Sequence, residues 1–116
     1  MLFVHYPKCS TCQKAKKWLD AHKIAYEERD IKTANPSKEE LKAWHQKSGM
    51  ELKKFFNTSG MLYKSMQLKD KLPGMTEEEQ LELLGTDGML VKRPILVGDD
   101  FVLTGFKEEQ YEQYCR

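Results

Sequence analysis

Residues 2–12 read Leu2-Phe3-Val4-His5-Tyr6-Pro7-Lys8-Cys9-Ser10-Thr11-Cys12. The apolar and aromatic run from Leu2 to Tyr6 predicts a buried strand, and Pro7 ends it because proline has no N–H for a strand ladder. From about Ser10 to His22, apolar side chains recur at helical spacing with lysines on the opposite face. This pattern is typical of an amphipathic helix. The two cysteines therefore lie at a turn from strand to helix.

The chain continues as a strand–helix–strand unit and ends as a hairpin followed by a helix. Tyr26 to Ile31 predicts a second strand, parallel to the first, because strand, helix and strand fit in roughly 30 residues. Ile95 to Val97 and Phe101 to Leu103 flank the turn Gly98-Asp99-Asp100, which predicts a β-hairpin. Lys107 to Tyr114 predicts a terminal helix.

The signals in residues 36–90 are helical, with no convincing strand. Ser37 with Glu40, and Thr76 with Glu79, have the capping-box spacing that opens helices. Four helices are predicted. The first begins after Ser37 and ends at Gly49, the second covers Glu51 to Phe56, the third covers Met61 to Gln67, and the fourth runs from Thr76 through Leu84 and ends at Gly85. This segment therefore predicts several helices between the two β-containing parts.

A βαβ unit followed by a ββα unit is the thioredoxin-like arrangement, a four-stranded mixed sheet with helices on its faces. The predicted fold class is therefore α/β and thioredoxin-like. We expect residues 1–116 to form a single domain, with a helical insertion at about 36–90 that packs beside the sheet and has no core of its own. Trp44 and Phe55-Phe56 are predicted to be core residues of this insertion.

Composition and charge exclude several function classes. Nineteen Lys plus Arg residues against eighteen Asp plus Glu leave a formal charge of +1, so neither direct nucleic-acid binding nor an anionic membrane is indicated. The apolar runs Met1 to Val4 and Ile95 to Val97 are far too short to span a membrane. The N-terminus shows no basic leader followed by a signal-length apolar run. We therefore expect a cytoplasmic protein.

The three cysteines do not have the spacing of a zinc site. Only Cys115 remains beyond the pair Cys9 and Cys12, whereas a structural zinc site usually shows two ligand pairs. The three histidines lack ligand spacing with respect to each other, so no metal is expected. Cys115 lies beside the C-terminus and is predicted to be a free thiol on a frayed helix end.

The pair Cys9 and Cys12 at a helix start predicts a redox-active thiol site. A helix N-terminus carries partial positive charge and unpaired N–H groups, which stabilise a thiolate on Cys9 just before the helix. Lys8 adds positive charge nearby. Cys12 lies one turn inside and is expected to be more buried. Cys9 is therefore the predicted nucleophile and Cys12 the resolving thiol, although an inert pair of small core residues is the alternative.

Arg93-Pro94 lies directly before the third predicted strand. Thioredoxin-like folds carry a cis-proline at this point, facing the cysteine turn, and the X–Pro bond is where a cis peptide costs little. Arg93 would then bring a fixed cation towards Cys9, able to hold a thiolate, a carboxylate or an oxyanion. The alternative is an ordinary edge-strand proline beside a solvated arginine.

The motif Tyr6 to Cys12, the helical insertion and Lys92-Arg93-Pro94-Ile95 resemble the glutaredoxin-dependent arsenate reductase (ArsC) family, which includes the Spx regulators of RNA polymerase. The resemblance runs from Leu2 through the hairpin to Gly105-Phe106. The segment Lys54 to Gly60 is most similar to the uncharacterised arsenate reductase-like members.

The resemblance implies roles for several residues. Cys9 matches the catalytic cysteine, which attacks arsenate and is released by a glutathione-type thiol, and Arg93 matches one of the arginines around it. The family's arsenate reductases place two further arginines near the site, and the matching positions here are Asn57 and Gly105. Those enzymes need no second cysteine one turn into the helix, so Cys12 favours a dithiol–disulfide cycle.

The predicted function is therefore a thiol–disulfide oxidoreductase of the arsenate reductase-like family, acting on arsenate, a small oxyanion, or on a mixed disulfide. Besides the catalytic Cys9, Cys12 and Arg93, the candidate substrate-binding residues are Pro94, Lys8 and Asn57. No bound cofactor is implied, and the reductant would be glutathione or a partner protein such as glutaredoxin or thioredoxin.

Two alternatives remain open. The first is an Spx-like regulator that binds RNA polymerase and uses the two thiols of Cys9 and Cys12 as a redox switch. The second is a structural or binding module with inert thiols. The basic group Lys14, Lys16 and Lys17 is interpreted as a solvated helix face, with partner docking as the alternative.

Overall fold

The computed structural model describes residues 1–115, in which the predicted β-α-β and β-β-α units are both present. The strands and helices are β1 (Leu2–His5), α1 (Ser10–Ala21), β2 (Glu27–Asp30), α2 (Lys38–Ser48), α3 (Met61–Ser65), α4 (Leu68–Lys71), α5 (Glu77–Leu84), β3 (Ile95–Val97), β4 (Val102–Thr104) and α6 (Glu108–Tyr114). Short 3₁₀ turns cover Leu52–Phe55, Leu72–Gly74 and Gly88–Leu90. Within residues 1–115 no helix has the length and apolar character to cross a membrane.

The four strands form one mixed sheet in the order β2-β1-β3-β4. Strand β1 runs parallel to β2 and antiparallel to β3, and Val4 is the partner of both Arg29 and Ile95. Strands β3 and β4 form the predicted hairpin, with Leu96 opposite Leu103. This four-stranded mixed sheet with helices is the thioredoxin-like fold, so the predicted fold class is confirmed.

The sheet separates two apolar clusters, because successive side chains of a strand point to opposite faces. On one face, α1 and α6 cover the sheet through Ala15, Trp18, Leu19 and Tyr111. On the other face lies the helical insertion, whose buried side chains include Trp44, Phe55, Phe56 and Leu81. Sheet residues contribute to both clusters in alternation: Val4, Ile95 and Val102 to the insertion face, and Phe3, Leu96 and Leu103 to the α1 face.

Helices α2 and α5 begin at the two predicted capping boxes. The Ser37 hydroxyl accepts the Glu40 N–H at 3.1 Å, while the Glu40 carboxylate accepts the Ser37 N–H at 3.1 Å. Thr76 and Glu79 make the same reciprocal pair at 3.2 and 2.9 Å. Each box satisfies N–H groups that the first helical turn leaves unpaired. Gly49 ends α2 in the left-handed conformation, with φ of +67°.

The rest of the insertion differs from the predicted helices. Glu51 to Phe56 is a 3₁₀ turn over Leu52–Phe55 rather than an α-helix. The helix predicted over Met61 to Gln67 ends at Ser65, and Gln67, with φ of +53°, starts the separate helix α4, which the sequence did not predict. A short extended pairing also occurs where no strand was expected: Phe56 bridges Val91, and the Lys92 N–H donates to the Phe55 carbonyl at 2.8 Å.

Cys115 is a free thiol, as predicted, but the prediction that it lies on a frayed helix end is wrong. Its side chain is only 4% exposed and belongs to the cluster formed by α1, α6 and the sheet. Its N–H donates to the Tyr111 carbonyl at 2.9 Å, so the chain continues the line of α6 through this residue. The helix end is held down because Tyr111, fully buried, packs edge-on against Trp18 at 5.5 Å between ring centroids.

Candidate functional site

The cysteine turn is held by backbone hydrogen bonds at the end of β1. The Cys9 N–H donates to the Tyr6 carbonyl at 2.9 Å, and the Cys9 carbonyl accepts the Gln13 N–H at 3.0 Å. The Gln13 side chain donates to the Pro7 carbonyl at 2.9 Å. Cys9 takes the extended N-cap conformation, with φ of −84° and ψ of 121°. Its partly buried side chain therefore lies where the first N–H groups of α1 lack backbone partners.

The thiol of Cys9 has a lowered pKa as the net result of opposing effects. Partial burial is the largest single effect and would raise the pKa, but hydrogen bonds from the Cys12 backbone, the Cys12 side chain and the Thr11 backbone lower it. The charge of Arg93 lowers it further. Together these groups stabilise the thiolate more than burial destabilises it, which is the electrostatic setting of a reactive cysteine.

The pKa of Cys12 is shifted in the opposite direction. It is fully buried, and burial, with the hydrogen bond to Cys9 and the charge of the Cys9 thiolate, raises its pKa to about 12. A hydrogen bond from the Tyr6 backbone and the charge of Arg93 act against this rise. Cys12 is therefore a protonated thiol beside Cys9. Both cysteines carry free thiols.

Arg93 lies beside the cysteines and precedes a cis peptide bond to Pro94. Its charge acts on both Cys9 and Cys12. The guanidinium carbon lies 5.3 Å from the centre of the Tyr6 ring. Its Nε and Nη1 atoms are buried and have no hydrogen-bond partner within residues 1–115. The structure thus brings Arg93 to the cysteine turn with donors that no neighbouring carboxylate occupies.

Gly105 is hydrogen-bonded to Pro94, the residue that follows this arginine. The Gly105 N–H donates to the Pro94 carbonyl at 2.8 Å. Gly105 is buried with φ of +73°, and a Cβ atom there would lie 3.3 Å from Cε of Lys92. A residue with a side chain would be strained at this φ, so this backbone disfavours an arginine at position 105.

The other candidate substrate-binding residues lie at the edges of this arrangement. Asn57 is partly buried, and its N–H donates to the carbonyl of Leu90 at 2.8 Å. This bond places Asn57 beside the segment that leads, three residues later, to Arg93. Lys8 is exposed and makes no ion pair within residues 1–115. The backbone hydrogen bond of Asn57 and the exposure of Lys8 do not by themselves indicate that either residue binds a substrate.

The basic group on α1 is not uniformly solvated. Lys14 and Lys17 are exposed, as expected. Lys16 instead donates to Glu28 at 2.6 Å and to the Tyr26 hydroxyl at 3.2 Å, and these hydrogen bonds raise its pKa. Lys16 therefore ties α1 to β2. In the described residues, no three His, Cys, Asp or Glu side chains gather closely enough to hold a metal.

One residue of the site was missed in the sequence. Tyr6 supplies the ring beneath Arg93 and the carbonyl that accepts the Cys9 N–H. The effect of the first N–H groups of α1, those of Thr11 and Cys12, on the pKa of Cys9 follows from the helix start that the sequence predicts. Tyr6 could have been found from strand pairing, because continuing the register of β1 and β3 by two residues places Tyr6 opposite Arg93.

A family model covers both halves of this site. The model of the ArsC family matches residues 4–114, from β1 through the cysteine turn and Arg93 to α6. The chain belongs to the ArsC family. The predicted family resemblance is therefore confirmed.

Individual relatives of this ArsC-family chain differ in how they are named. It is 57% identical over 113 residues to the uncharacterized protein YusI of Bacillus subtilis, covering 97% of this chain and 96% of YusI. It is 34% identical over 106 residues to the regulatory protein MgsR of Bacillus subtilis, covering 91% of this chain and 82% of MgsR. The family thus includes relatives named as regulators.

Solved structures of ArsC-family relatives have the same fold. An ArsC family related protein from Bacteroides fragilis superposes with a TM-score of 0.94 at 60% identity, covering 97% of this chain and 94% of that chain. A protein from Streptococcus mutans described as a possible arsenate reductase has a TM-score of 0.87 at 44% identity and covers 96% of each chain. This chain therefore shares its fold with these ArsC-family relatives.

Proposed function

We propose that this ArsC-family protein is a thiol–disulfide oxidoreductase, with Cys9 as the nucleophile and Cys12 as the resolving thiol. The single observation that carries the proposal is the position of Cys9, partly buried at the N-cap of α1, beside the fully buried thiol of Cys12. The pKa of Cys9 is lowered, whereas that of the buried Cys12 is raised to about 12. One thiol is therefore ready to attack while its neighbour stays protonated and supplies a hydrogen bond.

The reaction begins at Cys9. Its thiolate attacks one sulfur of a disulfide substrate, a new S–S bond forms to Cys9, and the second half of the substrate leaves as a thiolate. Cys9 then carries no charge, so the repulsion that raised the pKa of Cys12 is gone, while Arg93 still favours a thiolate there. Cys12 loses its proton and attacks the Cys9 sulfur. The remaining half of the substrate leaves as a thiolate, and a Cys9–Cys12 disulfide remains.

The substrate has then gained two electrons from the two cysteines, and a reductant must supply two electrons to reduce the Cys9–Cys12 disulfide. We propose glutathione or a glutaredoxin- or thioredoxin-type partner, since each supplies thiols for exchange with the Cys9–Cys12 disulfide. We also propose a cytoplasmic location, where such reductants keep cysteines free. No metal or bound cofactor takes part in these steps.

In the proposal Arg93 stabilises the thiolate and holds the anionic part of the substrate, because its Nε and Nη1 donors have no partner among residues 1–115. Pro94 shapes the docking groove, and Lys8 and Asn57 contact the substrate at its edges. One arginine holds a dianionic oxyanion less well than three cations would. We therefore propose a mixed disulfide as the favoured substrate and arsenate as the weaker one.

The test is a coupled reductase assay that compares a mixed glutathione disulfide with arsenate. We expect wild-type turnover on the mixed disulfide and background rates for Cys9→Ser on both substrates. Cys12→Ser should accumulate a glutathione adduct on Cys9, visible in the intact mass, because the resolving step is blocked. Cys115→Ser is the matched control and should keep the wild-type rate, since Cys115 packs in the α6 cluster, which includes neither Cys9 nor Arg93.

Two results would contradict this assignment. Turnover that survives Cys9→Ser would show that another group is the nucleophile. A wild-type Cys9 that alkylates at neutral pH no faster than an ordinary thiol, with pKa of about 8.5, would favour inert thiols. Faster turnover on arsenate than on the mixed disulfide would reverse the proposed substrate preference.

An Spx-like regulator is the second candidate, favoured by the 34% identity to the regulatory protein MgsR. In that case the same pair of thiols would be a switch, and oxidation to the Cys9–Cys12 disulfide would change binding to RNA polymerase. Co-purification with RNA polymerase that depends on the oxidation state, without turnover on either substrate, would favour this candidate.

A further inference from the structure

The guanidinium of Arg93 is oriented by an aromatic ring instead of by hydrogen bonds. An arginine is normally oriented by hydrogen bonds from its planar fork to a carboxylate or to carbonyl groups. Within residues 1–115 Arg93 makes no ion pair, and its buried Nε and Nη1 atoms have no hydrogen-bond partner. The contact that the guanidinium does make is with an aromatic face, because its carbon lies 5.3 Å from the centre of the Tyr6 ring.

The position of that ring is set by the sheet and the cysteine turn. Val4 pairs with Ile95 across β1 and β3, and the same register continued by two residues places Tyr6 opposite Arg93. Side chains two residues apart in a strand share a face, and Tyr6, like Val4, packs against the insertion side of the sheet. The Tyr6 carbonyl also accepts the Cys9 N–H at 2.9 Å. One residue therefore sets the position of both Cys9 and the cation that faces it.

We infer that Tyr6 is a positioning residue, whose ring holds the Arg93 guanidinium beside Cys9 and leaves its Nε and Nη1 donors free for the anionic part of the substrate. This inference rests on the proposed function, because it assigns how the cation of that site is held. The energy of such a contact comes from attraction between the cation and the negative face of the ring.

An aromatic ring suits this position better than a carboxylate would. Aspartate or glutamate would hold Arg93 by its fork, but it would occupy the donors and cancel the charge that acts on Cys9. A ring face binds the cation without occupying any N–H group. The Tyr6 hydroxyl has no part in this contact, so phenylalanine should replace tyrosine and an aliphatic residue should not.

The experiment measures the rate at which iodoacetamide alkylates Cys9 as a function of pH, located by peptide mass. It compares wild type with Tyr6→Phe, Tyr6→Leu, Arg93→Gln and the double variant Tyr6→Leu/Arg93→Gln. We expect Tyr6→Phe to match wild type. Tyr6→Leu should slow alkylation near pH 6 by about three- to tenfold, the range that a partly desolvated cation–π contact supports.

The double variant separates the proposed role from a structural one. Tyr6→Leu should have no further effect when Arg93→Gln is already present, because the ring acts only through the guanidinium. Circular dichroism checks that each variant is folded, and Tyr6→Met replaces Tyr6→Leu if the leucine variant does not fold. A structural role would slow alkylation equally in both backgrounds.

Three results would overturn the inference. They are a Tyr6→Leu rate equal to wild type, an equal loss in the Arg93→Gln background, and a loss in Tyr6→Phe as large as that in Tyr6→Leu. Failure of the proposed function would look different, because wild-type Cys9 itself would then alkylate as an ordinary thiol. A fast wild type, slowed by Arg93→Gln but not by Tyr6→Leu, leaves the oxidoreductase standing and removes only Tyr6.

Discussion

At Cys9, burial and hydrogen bonding act on one sulfur in opposite directions. Burial alone would make this thiol less reactive, and the N–H groups of Thr11 and Cys12 with the charge of Arg93 reverse that effect. Because the N–H groups belong to the first turn of α1, the thiolate is stabilised by the backbone as much as by side chains. Changing the side chain of Thr11 should therefore affect reactivity far less than changing Arg93.

At Gly88 the neighbouring backbone leaves no room for a side chain. A Cβ atom on Gly88 would lie 1.8 Å from the Ile31 carbonyl oxygen, so Gly88→Ala forces the backbone apart where the insertion meets the end of β2. We expect a loss of about 2–3 kcal/mol in the free energy of unfolding, as for an overpacked site. Urea unfolding followed by circular dichroism measures it.

The matched control for Gly88→Ala is Gly74→Ala. Nothing lies within 4 Å of a Cβ atom at Gly74, and alanine restricts the unfolded chain more than glycine does. Gly74→Ala should therefore be neutral or slightly stabilising. An equal loss in the two variants would mean that glycine flexibility, rather than the contact with Ile31, explains the effect.

The sequence could predict the place of some site residues and not of others. Cys9, Cys12 and Arg93 were identified because cysteine spacing and an X–Pro step are visible in one sequence, and the structure places all three together. Tyr6 was missed because its contact to Arg93 depends on strand register. Cys115 was placed wrongly because its burial depends on how α6 packs on α1, which no local pattern shows.

Among the elements, α2 is connected to the sheet by an ion pair that also belongs to its capping box. Arg29 of β2 donates through Nη2 to Glu40 Oε1 at 2.9 Å and through Nη1 to Oε2. The same Glu40 accepts the Ser37 N–H. The Arg29 hydrogen bonds lower the pKa of Glu40 to about 2. One carboxylate therefore both starts the first helix of the insertion and fixes it to β2.

We expect Glu40→Gln to lower the free energy of unfolding at pH 7 by about 1 kcal/mol, the range of a partly exposed, bidentate pair. Glutamine can still close the capping box, so the loss reports the charge. Because the folded pKa of about 2 lies below the ordinary value of 4.5 for this carboxyl, the stabilisation is complete above about pH 4.5 and disappears as the pH falls towards 2. The difference between the variants should shrink accordingly in urea unfolding at successive pH values.

Glu79→Gln is the control, since Glu79 closes the other capping box at the start of α5 without an arginine. It should cost much less stability than Glu40→Gln, because a fully exposed carboxylate without an arginine partner contributes little beyond the cap. A Glu79→Gln loss as large as that of Glu40→Gln would attribute the effect to capping instead of the ion pair.

The elements that begin at a local signal were predicted well, and those that depend on distant partners were not. Both capping boxes and the Gly49 end of α2 follow from side chains within one turn. The 3₁₀ turn at Leu52–Phe55 and the bridge from Phe56 to Val91 depend on contacts between distant parts of the chain. Tertiary packing overrides helix propensity in such short segments.

In the whole molecule, one sheet supplies side chains to two apolar clusters. Strand β3 illustrates this, because Ile95 packs against the insertion while Leu96 packs against α1 and α6. The thioredoxin-like fold could be predicted because the order of elements restricts the sheet to few arrangements. The docking of the insertion could not, since its contacts join residues far apart in the chain. Removing either cluster exposes one face of the same sheet, so we expect both to unfold together.

The two tryptophans test this expectation, because they lie on opposite sides of the sheet. Trp18, 8% exposed, packs in the α1 cluster, and Trp44, 7% exposed, packs in the insertion cluster. In Trp44→Phe the fluorescence of Trp18 reports the first cluster, and in Trp18→Phe that of Trp44 reports the second. Each variant is unfolded in urea and followed by fluorescence and far-UV circular dichroism together, so any loss of stability from the substitution affects both probes equally. In a single cooperative unit the two transitions coincide within each variant. A Trp44 transition at lower urea than the circular dichroism change would instead show that the insertion unfolds by itself, as a separate unit on a sheet that persists without it.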